Sequence, residues 1–203
     1  MLSGMRMIMT DLERQAEQVL REIGLKPGQS VLDFGCGSGT YALPAARIVG
    51  GQEAPGVVYA IDRAWHGIWP GEGLAKLAGR AEDDGLRNVR VMKTSGDLRI
   101  DLPNDAVDVA LAHDVLHSYY FAAAQIPVVL REIHRVLKPA GILSLYPGDP
   151  DASGDLSQVR EILEAVRNAG FRLLAEYAGA VVHENRIVPG CVRVFRSVTR
   201  TTR

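Results

Sequence analysis

Five short apolar runs set the terms for this chain: SVLDF (30–34), VVYAID (57–62), NVRVMK (88–93), VDVALAH (107–113) and ILSLY (142–146). Each is continuous and not alternating, the pattern of a strand covered on both faces. Helical periodicity lies between them. In PVVLREIHRVL, Val129, Leu130, Ile133, Val136 and Leu137 share one face, and KPAG breaks the helix. Residues 155–169 read as another helix, stopped by Gly170. Repeated strand–helix units predict a parallel sheet with right-handed crossovers. FRLLAEY and VRVFRSV finish the chain with no helical pattern between them and read as an antiparallel pair. The expected fold is a doubly wound α/β domain, a mostly parallel seven-stranded sheet with an antiparallel C-terminal strand.

Ahead of the first strand, Leu12, Ala16, Val19, Leu20 and Ile23 recur at helical spacing. Thr10 and Glu13 form a capping-box pattern and Gly24 is a plausible stop, so residues 11–23 are expected to be an amphipathic helix. A length of 203 residues suits one domain, and no linker divides it. Residues 1–203 are therefore expected to form a single domain, with residues 1–29 as a helical lid.

Composition excludes several classes. A hydrophobic share of 47% and a charged share of 23% are ordinary for a soluble domain. A formal net charge of -1 leaves no basic footprint for DNA or an anionic membrane. The locally basic end, RSVTRTTR, reads as a solvated tail. No apolar run approaches the roughly 18 residues of a membrane span, and MLSGMRMIMT is too short in its apolar part for a secretory signal. Cys36 and Cys191 stand far apart, outside any CxxC or Cys/His cluster, which argues against a disulfide framework or a metal site and for a reducing cytoplasm.

The segment VLDFGCGSG (31–39) lies at the carboxyl end of the first strand, where open α/β sheets bind ligands. Glycine permits positive φ and close approach of a ligand. The helix expected from about Ser38 onward offers unpaired N–H groups. Asp62 ends the second strand, and an acid there can accept from both hydroxyls of a ribose. Together these point to an adenosine-containing ligand. Gly35, Gly37 and Gly39 give G-x-G-x-G, where a dinucleotide site has G-x-G-x-x-G. Asp33, two residues ahead, would repel a pyrophosphate and suits a cofactor with an ammonium group.

On these residues the chain resembles the class I S-adenosylmethionine-dependent methyltransferases, of the type 11-like kind, a Rossmann-like family. VLDFGCGSG is similar to their first motif and VVYAID to the second; SGDLRIDLPNDAVDVALAHDVLH resembles the third and fourth together. REIHRVLKPAG resembles the family's E-x-x-R-V-L-K-P-G-G, with Ala140 in place of the commoner glycine. The resemblance implies S-adenosyl-L-methionine as cofactor and S-adenosyl-L-homocysteine as product. It implies that Asp33 faces the methionine amino group, and that Gly35, Cys36, Gly37 and Gly39 wrap the methionine and sugar. It implies that Asp62, with Arg63 beside it, holds the ribose, and that Gly96, Asp97 and Leu98 meet the adenine. His113 would offer its backbone carbonyl to the amino group.

The stretch HDVLH (113–117) resembles the zinc motif H-E-x-x-H only superficially, since Asp114 stands where glutamate is needed and His113 ends a strand. His117 is a candidate general base, because residues just past the fourth strand of this family face the transferred methyl; a polar rim residue is the plainer reading. Asp114, Tyr119 and Tyr120 are candidate acceptor-pocket residues. Tyr119, Tyr120 and Phe121 could wall a substrate or simply pack under a lid. Trp65 and Trp69 could meet the adenine edge or belong to the core. Cys36 reads as a small residue in a tight loop, with no activating base in view. Pro44 falls early in the helix after the loop, where proline is tolerated.

The acceptor is expected to be a small molecule, with specificity from the N-terminal helix, the HDVLHSYYF segment and the loops near YPGDPDASG and YAGAVVHENRIVPG. No N/D-P-P-Y/F motif of the amino-DNA enzymes follows the fourth strand, two cysteines are too few for arsenite, and no Tyr-x-x-x-Lys of a short-chain oxidoreductase occurs around Tyr119 and Tyr120. A non-catalytic cofactor-binding protein and a protein or RNA methyltransferase are the alternatives. A homodimer is compatible with all of them.

Overall fold

The computed structural model of the chain describes residues 9–51, 55–63, 73–94, 96–148 and 156–198. Trp65, Trp69, and the segments MLSGMRMI, DPDASGD and TRTTR lie outside the described residues.

Helix α1 (Asp11–Glu22) begins on the capping box read from the sequence: the Glu13 N–H donates to Thr10 Oγ1 at 3.2 Å, and the Thr10 N–H to Glu13 Oε2 at 2.9 Å. Its apolar stripe buries Ala16, Val19 and Leu20 against α2 (Ala42–Val49) and the C-terminal hairpin. Glu13 is also buried, yet it is not alone. The Arg80 guanidinium sits 2.5 Å from its carboxylate and also donates to the Ser38 carbonyl at 3.0 Å. One ion pair thus ties α1 to the glycine-rich loop.

The five strands expected from the apolar runs are β1 (Ser30–Phe34), β2 (Val57–Asp62), β3 (Val89–Lys93), β4 (Val107–His113) and β5 (Leu137–Tyr146). They pair in parallel, with helices α3 (Leu74–Asp83) and α4 (Ile126–Val136) following β2 and β4 in the chain. After β5 come α5 (Ser157–Asn168) and the strands β6 (Phe171–His183) and β7 (Arg186–Ser197). The seven strands lie in the order β3-β2-β1-β4-β5-β7-β6, with β7 antiparallel to both neighbours. The direction of strand succession reverses between β1 and β4, and a ligand crevice is expected outside their carboxyl ends. At the opposite end Asp108 accepts from the Ser30 N–H at 2.8 Å and from Lys138 Nζ at 2.9 Å, fastening the starts of these strands.

Two apolar clusters cover the sheet. One joins α1, α2 and α3 to the strands; the other joins α4 and α5. β1 and β4 are buried at every position but the first of β1 and Asp108 of β4, as their continuous apolar sequence requires. Pro44 is the third residue of α2, inside the first turn, so the helix loses no internal hydrogen bond to it. Among the described residues no helix is long and apolar enough to cross a membrane.

The C-terminal strands differ from expectation in length. FRLLAEY and VRVFRSV are only the proximal halves of a long hairpin, which continues through YAGAVVHENRIVPG. Its two-residue turn is Glu184-Asn185, both at positive φ (44° and 61°). This added length carries the tip across to the carboxyl end of β4.

Candidate active site

The carboxyl ends of β1, β2 and β4 open into a cavity of about 660 Å³. Its floor is the loop after β1. Gly35 has φ 78°, and a side chain there would strike Val115 Cγ2 at 2.3 Å, so only glycine lets the loop cross under the segment after β4. Gly37, at φ 52°, has nothing within 4 Å of where a Cβ would stand. The backbone is bare toward the cavity at that point. Cys36 also lines the cavity, and burial beside Asp33 and Asp62 pushes its thiol well above the ordinary range. It is therefore a poor nucleophile here. Gly39 is absent from the lining and packs instead against Leu77.

Two carboxylates meet over this loop. Asp62, at the end of β2, accepts from the Gly37 N–H at 2.9 Å. Asp33 is only 3% exposed, and its Oδ2 is buried with no hydrogen-bond partner. Burial first, then the charge of Asp62, raise Asp33 to about 7, against the pull of the Ala42 N–H. His113, at the end of β4, shares a 2.8 Å hydrogen bond between Nε2 and Ser144 Oγ and stands edge-on to Tyr41, with ring centres 4.4 Å apart. Its Nδ1 is buried without a partner, and burial lowers the ring to about 3. The ring is therefore neutral at ordinary pH. Arg63, Gly96, Asp97 and Leu98 line the same cavity, Leu98 half-buried against the core and Asp97 exposed.

The other end of the cavity is built by the segment after β4 and the hairpin tip. Asp114, Tyr119, Tyr120 and Phe121 come from the first, Val182, Glu184 and Asn185 from the second. Tyr119 and Tyr120 meet edge to face at 4.9 Å, and the Arg63 guanidinium lies 5.8 Å from the Tyr120 ring centre. His117 does not line the cavity. Its Nε2 is 3.8 Å from Asp114 Oδ1. On that same oxygen His183 Nδ1 sits at 2.8 Å, and the Glu184 N–H donates to Oδ2 at 3.3 Å. The Val182 N–H reaches the Tyr41 hydroxyl at 3.4 Å. Tyr41 is not among the site residues expected from sequence; His183, Glu184 and Asn185 lie in the YAGAVVHENRIVPG stretch expected to add specificity, and the length of the hairpin is what brings them to β4. Among the described residues no three histidine, cysteine, aspartate or glutamate side chains gather as potential metal ligands.

The fold recurs in known proteins. A family model described as "Methyltransferase domain" matches residues 25–185. The chain belongs to the class I S-adenosylmethionine-dependent methyltransferases. A SAM-dependent methyltransferase of Aquifex aeolicus superposes with a TM-score of 0.66 at 25% identity, over 91% of this chain and 89% of that one. A 2-phytyl-1,4-naphtoquinone methyltransferase of Synechococcus elongatus is 34% identical over 125 residues, 60% of this chain and 48% of that protein. A sterol 24-C-methyltransferase of Gibberella zeae is 28% identical over 188 residues, 80% of this chain and 44% of that protein. The chain thus spans about half the length of the curated relatives it matches.

The family's cofactor, S-adenosyl-L-methionine, fits the residues present. Its ammonium group would give the orphaned Asp33 oxygen a charged donor, and the open space at Gly37 leaves room for a ligand against the loop. The loop N–H groups and Asp62 suit the sugar.

Proposed function

We propose that this chain transfers the methyl group of S-adenosyl-L-methionine to a small-molecule acceptor. The observation that carries this reading is the buried Asp33 carboxylate, its Oδ2 without a hydrogen-bond partner, beside a bare glycine loop, at one end of a cavity whose other end is aromatic. When bound, the cofactor supplies an electrophilic methyl on a sulfonium sulfur.

The chain's own residues divide the work. Asp33 would neutralise the ammonium group, with Gly35, Cys36, Gly37 and the His113 backbone around the methionine; Gly39 would shape the loop from behind. Asp62 and Arg63 would hold the ribose, and Gly96, Asp97 and Leu98 the adenine. Asp114, Tyr119 and Tyr120 would receive the acceptor and exclude water. The fold then acts mainly through proximity and orientation. As a base, His117 would work at one remove, since Asp114 stands between it and the cavity.

Curated relatives named for a sterol and a naphthoquinone support a small, largely apolar acceptor, and the exposed aromatic pair suits one. Residues 1–203 as one domain, with residues 1–29 as a lid anchored through α1, remain part of the proposal. So do a cytoplasmic setting, supported by two unpaired cysteines, a homodimer, and no role for DNA.

Incubation with methyl-labelled cofactor and a cell extract, followed by fractionation, tests the reading. Label is expected in the small-molecule fraction. Label confined to protein or RNA would move the acceptor to another class. Cofactor binding without any transfer would leave a non-catalytic binding protein.

A further inference from the structure

Asp114 is held by more than its place in the cavity wall needs. Its φ is 55°, a region that non-glycine residues enter at a cost, though aspartate tolerates it better than most. Its N–H donates to the Tyr146 carbonyl at 2.7 Å, which fixes the backbone after β4 to the end of β5. The hairpin tip then grips the side chain twice, through His183 Nδ1 at 2.8 Å and the Glu184 N–H at 3.3 Å. A carboxylate oxygen can accept more than one hydrogen bond, so each keeps capacity for another. Neither His183 nor His117 lines the cavity; Asp114 does.

We propose that Asp114 holds a hydroxyl group of the acceptor and takes up its proton, with His183 as the residue that positions Asp114. The inference rests on the methyl-transfer reading above. A carboxylate only accepts, so the contact with His183 requires the proton on Nδ1. That hydrogen bond and the Glu184 amide fix the plane of the carboxylate.

The cavity's charge narrows the acceptor. Asp114 and Glu184 line its acceptor end, so an anionic acceptor would meet like charge there. A neutral hydroxyl meets a ready acceptor. A lone pair of its oxygen forms the new O–CH₃ bond while the S–CH₃ bond breaks, and that bond's electron pair stays on sulfur as a neutral thioether. The oxygen, now three-bonded, is strongly acidic. Its O–H bond breaks, the electron pair remains on oxygen and the proton passes to Asp114.

The test uses 1-naphthol and its capped analogue 1-methoxynaphthalene, planar probes that suit the aromatic end of the cavity. Calorimetry on the chain saturated with S-adenosylhomocysteine should show naphthol binding about tenfold or more tightly than the ether, as expected for one hydrogen bond to a charged group. Asp114→Gly suits the positive φ and removes the carboxylate; the two probes should then bind within about twofold of each other. His183→Ala should lose most of the preference. His183→Asn, whose amide nitrogen can stand where Nδ1 stood, should restore it. With labelled cofactor, Asp114→Asn should methylate naphthol roughly 10²–10⁴-fold more slowly than the wild type. Affinity for S-adenosylhomocysteine should hold in every variant, which also reports that each is folded. Equal or undetectable binding of both probes to the wild type, naphthol left unmethylated by it, or a preference that survives Asp114→Gly would overturn the inference. If S-adenosylhomocysteine itself fails to bind the wild type, the methyl-transfer reading falls as well.

Discussion

Asp33 and His113 face one cavity and titrate in opposite senses. Asp33 is raised to about 7, so it stabilises the fold below about pH 4, and that contribution is lost as pH rises through about 7. His113 is lowered to about 3, so it stabilises the fold above about pH 6.5, and that contribution is lost as pH falls toward 3. Between about pH 4 and 6.5 the folded chain carries one extra proton on Asp33 and lacks one on His113. The two slopes cancel. Asp33→Asn removes one of them. Relative to the wild type, this variant should lose stability on acidification from pH 6.5 to 4 by about 1.4 kcal/mol per pH unit, measured by urea unfolding. Parallel curves for the two proteins would mean that Asp33 titrates normally. The acids themselves were legible at the sequence level, since Asp33 and Asp62 stand where strands must end. His183 was not, because nothing local marks a histidine whose partner lies 69 positions away.

At the scale of elements, apolar runs and caps locate β1 to β4, α1 and α4 well, because each is dictated by short-range pattern; β5 begins at Leu137, five residues ahead of the ILSLY run, and takes in the KPAG expected to be a break. The hairpin was half read. Ala178, Gly179 and Ala180 are exposed and small, Pro189 falls within β7 opposite Ala180, and the turn is Glu-Asn instead of Asn-Gly. These are signals of loop, and the pairing of β6 with β7 along the whole hairpin overrides them. The irregular turn at the start of β5 carries a different cost. Ala140, where the family's pattern has glycine, sits at φ 61°. Ala140→Gly should relieve that strain and stabilise the chain by about 1 kcal/mol, raising Tm by about 2–4 °C for a domain of this size. An unchanged or lower Tm would show that the turn is not strained.

For the whole molecule, the order β3-β2-β1-β4-β5-β7-β6 places the glycine loop, Asp62 and the segment after β4 around one crevice, and the terminal hairpin returns across the sheet to complete it. Sequence alone supplies the first three walls, because each follows directly from a strand end, and it names the YAGAVVHENRIVPG segment as a source of specificity without giving its place in the fold. The fourth wall depends on tertiary distance. The central claim is that this crevice binds the adenosyl cofactor. Calorimetric titration with S-adenosylhomocysteine, wild type beside Asp62→Ala, tests it most directly. One-to-one binding is expected for the wild type, weakened by roughly 1–3 kcal/mol in the variant through loss of the hydroxyl acceptor. No binding to the wild type, or equal affinity in the two proteins, would contradict the account.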